Sequence, residues 1–252
     1  MAWERIRKLA EDRTGANLTD YEECARTFSW AQARGLLDGL PGGGLNITHE
    51  AVDRHVLAGQ GDKLALRWIG RDGRVQDFTY AMLRAAVSRF ANVLAQRGVS
   101  KGERVYSLLG RSPELYIAAL GTLKAGCVFS PLFSAFGPEP IRARMAIGEA
   151  KVLITSEAFY RRKVEPWRNE LESLDHVLLT DCSSNLPPTT EDLATALGAA
   201  PDFFETVWTS PENMALLHFT SGTTGRPKGA SRPRGRRRSS RHRQARTRPS
   251  RR

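Results

Sequence analysis

Four hydroxyls, three glycines and one lysine fall within ten residues: Thr220-Ser221-Gly222-Thr223-Thr224-Gly225-Arg226-Pro227-Lys228-Gly229. The chemistry these types can do together is to hold an anion. Glycines let the backbone reach positive φ, and successive N–H groups in such a turn form a concave nest for negative charge. The hydroxyls of Thr220, Ser221, Thr223 and Thr224 add donors for phosphate oxygens, and Lys228 adds a positive charge on a flexible arm. The spacing is not that of the common P-loop, whose lysine follows a glycine and precedes Ser or Thr. Here Lys228 stands between Pro227 and Gly229. Any one of these residues alone reads as part of a surface turn, where such types abound. The ten together point to a phosphate loop.

A loop of this kind needs rigid elements to present it. The apolar run Met214–Phe219 just before it reads as a short buried strand. Upstream, strand and helix patterns alternate. Residues 104–109, 127–132, 152–155 and 175–180 read as strands. Helices are expected from Pro113 to near Gly126 and from Pro138 or Glu139 to Glu149. Strands separated by helix-length segments pair in parallel through right-handed crossovers. The fold class is therefore α/β, a parallel sheet with helices on both faces.

Ahead of this region, residues 63–78 read as a hairpin around Asp72-Gly73. Thr79 caps a helix to about Arg97, and Gly98 suits its end. Residues 1–45 read as a peripheral lead-in, with helices expected over Trp3–Leu9 and Tyr21–Ala33. Thr48 is expected to cap a helix carrying Val52 and His55. His49 and His55 read as structural, since no nucleophile or metal partner stands at a useful spacing. The polar, Pro-rich stretch 181–212 reads as a surface excursion.

The net charge of +11 looks at first like a nucleic-acid signal. Residues 231–252, however, hold 11 arginines and no acidic residue, the whole of that excess. The rest of the chain is balanced and gives no electrostatic case for nucleic acid. Cys24, Cys127 and Cys182 are far apart and show no metal-ligand spacing, which points to reduced thiols in the cytoplasm. Met1–Asp20 has no apolar stretch of the signal-peptide type. No run approaches the roughly 18 apolar residues of a membrane span.

The string Thr220–Gly229 resembles the signature phosphate loop of the adenylate-forming (AMP-binding) superfamily. The likeness extends back through Gly121–Phe133, Arg142–Thr155 and Asn46–His55, the last similar to a string near the start of acetyl- and medium-chain acyl-CoA synthetases. The resemblance implies ligase chemistry in two halves. A short carboxylate such as acetate attacks the α-phosphorus of ATP, and the thiol of coenzyme A then displaces AMP. It implies that Thr220, Ser221, Gly222, Thr223, Thr224, Gly225 and Lys228 grip the ATP phosphates, with Mg²⁺ sharing their charge. Thr220 and Lys228 would also be the catalytic residues. It implies coenzyme A phosphate contacts at Arg161, Arg162 and Lys163, where a solvated basic turn is the plainer reading. No protein metal ligands are expected.

These readings divide the chain into a lead-in (1–45), an incomplete N-terminal AMP-binding domain (46–230) and a disordered Arg-rich tail (231–252). The adenine, ribose and late-lysine motifs of the superfamily are not found before Ala230, so a truncated, inactive acetate–CoA ligase is expected. Propionyl- or medium-chain-CoA ligation stays open. The tail reads as an out-of-frame product, with an ordinary disordered tail and a basic arm touching nucleic acid non-specifically as alternatives.

Overall fold

The structure is a computed structural model that describes residues 18, 20–221 and 227–233. The chain forms two compact units, Met1–Asp38 and Gly39–Arg252.

In the first unit the single helix expected over Tyr21–Ala33 is two: α1, Tyr21–Thr27, and α2, Trp30–Gly35. The break has a local cause. The Ser29 hydroxyl accepts from the Gln32 N–H at 3.2 Å, and the Gln32 side chain accepts from the Ser29 N–H at 3.0 Å. This reciprocal capping box starts a new helix where an old one would have continued. The helix expected over Trp3–Leu9 lies outside the described residues.

The second unit begins with a short 3-10 turn, Pro41–Gly43, followed by a wide-turned helical stretch, His49–Asp53, running into α3, Arg54–Leu57. Thr48 does not cap it. Its backbone is already helical, and its hydroxyl donates to the Leu120 carbonyl at 2.6 Å. The buried Asn46 side chain instead takes the Thr48 N–H at 2.9 Å and donates to the Leu123 and Val207 carbonyls. The hairpin β1, Leu64–Ile69, and β2, Val75–Thr79, pairs antiparallel as expected. The Thr79 hydroxyl accepts from the Met82 N–H at 3.2 Å and starts α4, Tyr80–Gln96. Gly98, at φ +69°, lets the chain leave it.

The main sheet follows: β3 (Arg104–Leu108), α5 (Pro113–Lys124), β4 (Val128–Pro131), α6 (Pro138–Ile147), β5 (Ala150–Ser156), α7 (Glu157–Lys163), β6 (His176–Thr180), β7 (Glu191–Asp192), α8 (Leu193–Ala199), β8 (Met214–Ser221) and β9 (Pro227–Pro233). The strand order is β7-β6-β5-β3-β4-β8-β9, parallel throughout except that β9 runs antiparallel to β8. Side chains alternate between the faces. Val105, Val152, Ile154 and Leu178 pack with α4, α5 and α8. Tyr106, Leu153, Val177 and Leu179 pack with α6 and α7. Helices therefore cover both faces, as the sequence implies.

Where α5 crosses α4, Gly121 leaves no room for a side chain. An added Cβ would stand 2.7 Å from the Phe90 ring and 3.0 Å from the Val87 carbonyl oxygen. Gly121→Ala is expected to cost about 1–3 kcal/mol by overpacking. A urea midpoint equal to wild type would refute that.

Three further expectations need correction. Residues 181–212 are mostly exposed, as expected, but are not an irregular excursion. They supply β7 and α8, and then a segment at 203–209 pinned across the body. The Val207 N–H donates to the Lys124 carbonyl, the Leu45 N–H to the Thr209 carbonyl, and Thr209 is fully buried. The basic string 160–163 is the last half of a helix, not a turn. The strand before the phosphate loop is only partly buried: Ala215 is enclosed, but Met214, His218 and Thr220 are exposed. That strand meets β4 at one registered position, Phe129 opposite Leu216. A central strand is enclosed on both sides; this one is not.

Candidate functional site

β8 and β9 build the neck of the candidate site. Their antiparallel register sets Thr220 opposite Lys228 and Ser221 opposite Pro227. Pairing continues down to Met214 opposite Pro233, so residues 231–233 belong to the strand. The neck stands at the carboxyl end of β8, which runs parallel to β4. In open α/β sheets, ligands bind outside the carboxyl ends of the strands. The Ser130 hydroxyl tethers the hairpin to β4 by donating to the Leu217 carbonyl at 2.8 Å. Beneath it the rings of Tyr106 and Phe219 lie 6.5 Å apart. The Tyr106 hydroxyl donates to the Arg144 carbonyl at 3.1 Å, and burial pushes its pKa up to about 12. The remaining expected phosphate contacts, Gly222, Thr223, Thr224 and Gly225, lie outside the described residues.

The second candidate group sits on α7, which leaves the carboxyl end of β5. Ser156 caps it by accepting from the Phe159 N–H. Its three cations do not act alike. Lys163 is buried and donates to the Ser134 and Phe136 carbonyls at 2.5 and 2.8 Å, and desolvation lowers its pKa. It straps the helix to the loop after β4. Arg161 donates to Glu157 at 2.8 Å and to the Asn185 carbonyl at 2.9 Å. Arg162 is exposed and lies over the Phe159 ring, 5.6 Å from its centroid.

Glu157 holds this corner together. Its carboxylate accepts from the Ser183 N–H and hydroxyl and from Arg161. Those bonds, the Ser183 N–H first, hold its pKa below the ordinary glutamate value. The unfolded chain therefore binds the proton more readily. The stability from Glu157 is present above the ordinary value of about 4.3 and fades as pH falls below it. Glu157→Gln should be less stable than wild type at pH 7, with the gap narrowing at pH 4. Urea titrations that show a constant gap would contradict this.

One cluster escaped the sequence reading. Lys124, fully buried at the end of α5, donates to both carboxylate oxygens of Asp53 at 2.8 and 2.6 Å. The Thr206 hydroxyl donates to Asp53 at 2.8 Å and accepts from Lys124 at 2.9 Å. The signal available was a lysine at the end of the largely apolar run 115–125. His49 is buried, and His55 stacks on Tyr80 with ring centroids 4.6 Å apart. No described helix is long and apolar enough to cross a membrane.

Comparison with known proteins bears on this geometry. The family described as "AMP-binding enzyme" matches residues 53–236. The chain is 35% identical over 216 residues to the acetyl-coenzyme A synthetase of Bacillus subtilis, covering 84% of this chain and 37% of that protein. It is 33% identical over 232 residues to the acetyl-coenzyme A synthetase of Streptomyces avermitilis, covering 84% and 34%. Among solved structures, the acyl-CoA synthetase of Brucella canis matches with a TM-score of 0.76 at 32% identity, over 85% of this chain and 38% of that one. The anthranilate CoA ligase AuaEII shares the fold, with a TM-score of 0.70 at 22% identity. The chain thus spans little more than a third of the length of these relatives.

Proposed function

The chain belongs to the AMP-binding enzyme family, and from that premise we propose that residues 1–252 supply the triphosphate grip of an ATP-dependent acyl-CoA synthetase. One observation carries the proposal: the β8–β9 register sets Thr220 opposite Lys228 across the neck of the glycine- and hydroxyl-rich loop. A hydroxyl and a cation at one neck suit a polyphosphate, which needs hydrogen-bond donors and charge together. Ser221, Gly222, Thr223, Thr224 and Gly225 complete the grip. Mg²⁺ would be held mainly by phosphate oxygens and water, as is usual for that ion, so a neck rich in hydroxyls and poor in carboxylates fits it. Its part is to share the phosphate charge.

Acetate is the proposed carboxylate, on the likeness to the two acetyl-coenzyme A synthetases; a propionate or medium-chain acid is the alternative. We place the coenzyme A phosphate at α7, with Arg162 as the leading contact. Arg161 and Lys163 already serve Glu157 and two carbonyls, and would follow. The separate cysteine thiols support a cytoplasmic location. The 216 matched residues correspond to 37% of the Bacillus relative. Residues 1–252 on their own are therefore expected to bind ATP without acetate-dependent ATP–pyrophosphate exchange. Calorimetry with ATP–Mg²⁺ and an exchange assay with acetate test the two halves. Absence of ATP binding by a folded chain would overturn the grip. Exchange above background would overturn the expected inactivity. The arginines beyond residue 233 lie outside the described residues, and no observation favours a nucleic-acid role for them.

A further inference from the structure

A cavity of about 400 Å³ opens beside the buried Asp53–Lys124 pair. That volume is in the range of small-molecule sites. It lies at the far end of the sheet from the β8–β9 neck. Helix α5 leaves the carboxyl end of β3 and returns to the amino end of β4, so Lys124, its last residue, marks the amino end. The neck marks the carboxyl end.

The floor of the cavity has an unbalanced charge. Asp53, Arg84 and Thr206 line it. The Asp53 carboxylate is already met by Lys124 at both oxygens and by the Thr206 hydroxyl. The nearest approach of Arg84 to Asp53 is through Nε, at 3.4 Å. With Lys124 neutralising Asp53, the Arg84 charge is left over at a partly enclosed position.

The walls are apolar and wet. Leu57, Phe203, Phe204 and Trp208 line the cavity, and Leu57, Phe203 and Trp208 are 67%, 68% and 47% exposed. Large side chains grouped this way around a cavity mark a binding surface more often than scattered ones do. The Trp208 ring is fixed, since its N–H donates to the Pro41 carbonyl at 3.1 Å. Glu205 also lines the cavity and is exposed. Its charge disfavours a ligand with more than one negative group.

We propose that this cavity binds a small monocarboxylate with an aromatic or branched aliphatic body, the carboxylate held by Arg84 and the body against Leu57, Phe203, Phe204 and Trp208. A guanidinium matches a carboxylate in a two-pronged geometry. The apolar walls supply what a bare phosphate or acetate could not use. The site is separate from the phosphate grip and does not depend on it.

The test is calorimetry of the full 252-residue chain with phenylacetate, against acetate, benzylamine and inorganic phosphate as comparators. Phenylacetate should bind, and the three comparators should bind at least about tenfold more weakly, as expected for loss of a charged contact or of the apolar body. Arg84→Gln should weaken phenylacetate about tenfold or more. Phe203→Ala, at an exposed position that leaves the fold intact, should weaken it about threefold or more. Lys228→Ala should leave it unchanged, which separates this cavity from the neck. The proposal fails if phenylacetate does not saturate below about 10 mM, if benzylamine binds equally well, or if Phe203→Ala binds as wild type does.

Discussion

Lys228→Ala is expected to weaken ATP–Mg²⁺ binding by about 10- to 100-fold, the range for losing a hydrogen bond to a charged group. The argument is local. Pro227 and Lys228 enter β9 opposite Ser221 and Thr220, so the residue at 228 is placed by backbone pairing that alanine preserves. The substitution therefore removes charge and reach without removing the strand. Far-UV circular dichroism and the melting temperature should match wild type while affinity falls. Thr220→Val, which keeps the branched shape and removes one hydroxyl, should cost about three- to tenfold. Raising the salt should narrow the gap between wild type and Lys228→Ala, because screening weakens what the lysine contributes. Calorimetry at two ionic strengths would measure both effects. A Lys228→Ala chain that stays folded and binds ATP within twofold of wild type would remove this lysine from the grip.

The elements that carry the sheet were legible because each has its own local signal. Pro113 and Pro138 open α5 and α6, Thr79 caps α4, and Val105, Leu153 and Val177 sit in short apolar runs between helical spacings. What escaped depends on partners distant in sequence. The segment 203–209 is Pro-flanked like a loop and carries Phe203, Phe204, Val207 and Trp208, yet it is held by backbone bonds to Lys124 and Leu45, and nothing in its own residues announces those partners. α7 escaped because it is one short helix of seven residues, too brief to show periodicity. At the candidate site, the phosphate string could be read as a string, but the register opposing Thr220 to Lys228 could not. Lys163 shows the same limit. Its acceptors are the carbonyls of Ser134 and Phe136, which any residue carries, so a lysine committed to strapping a loop reads the same as one free to meet a phosphate.

Asp53→Ala is expected to be the most destabilising single change described here, by about 3–5 kcal/mol, because it leaves a buried ammonium without its counter-charge. Asp53 and Lys124 are 3% and 1% exposed. Together with Thr206 they join the 49–57 helical stretch, the end of α5 and the 203–209 segment, three pieces of chain that share no sheet pairing. The pair is not simply a favourable contact. Burial, the largest influence on Lys124, already lowers its pKa even with Asp53 in place. Without Asp53 that lowering should deepen. The folded variant would then hold fewer protons than the unfolded chain, whose lysine titrates near 10.4, so its stability should rise with pH through that window. The deficit of Asp53→Ala against wild type should accordingly be larger at pH 7 than at pH 9.5. The double variant Asp53→Leu/Lys124→Met, which removes both charges and keeps apolar volume, should recover most of the loss, since replacing a whole buried pair is often neutral. Urea midpoints for the single and double variants at both pH values decide it. A single variant within about 1 kcal/mol of wild type would mean that water reaches Lys124. A double variant as weak as the single would mean that the geometry of the three-way junction, rather than the unpaired charge, is what the fold needs.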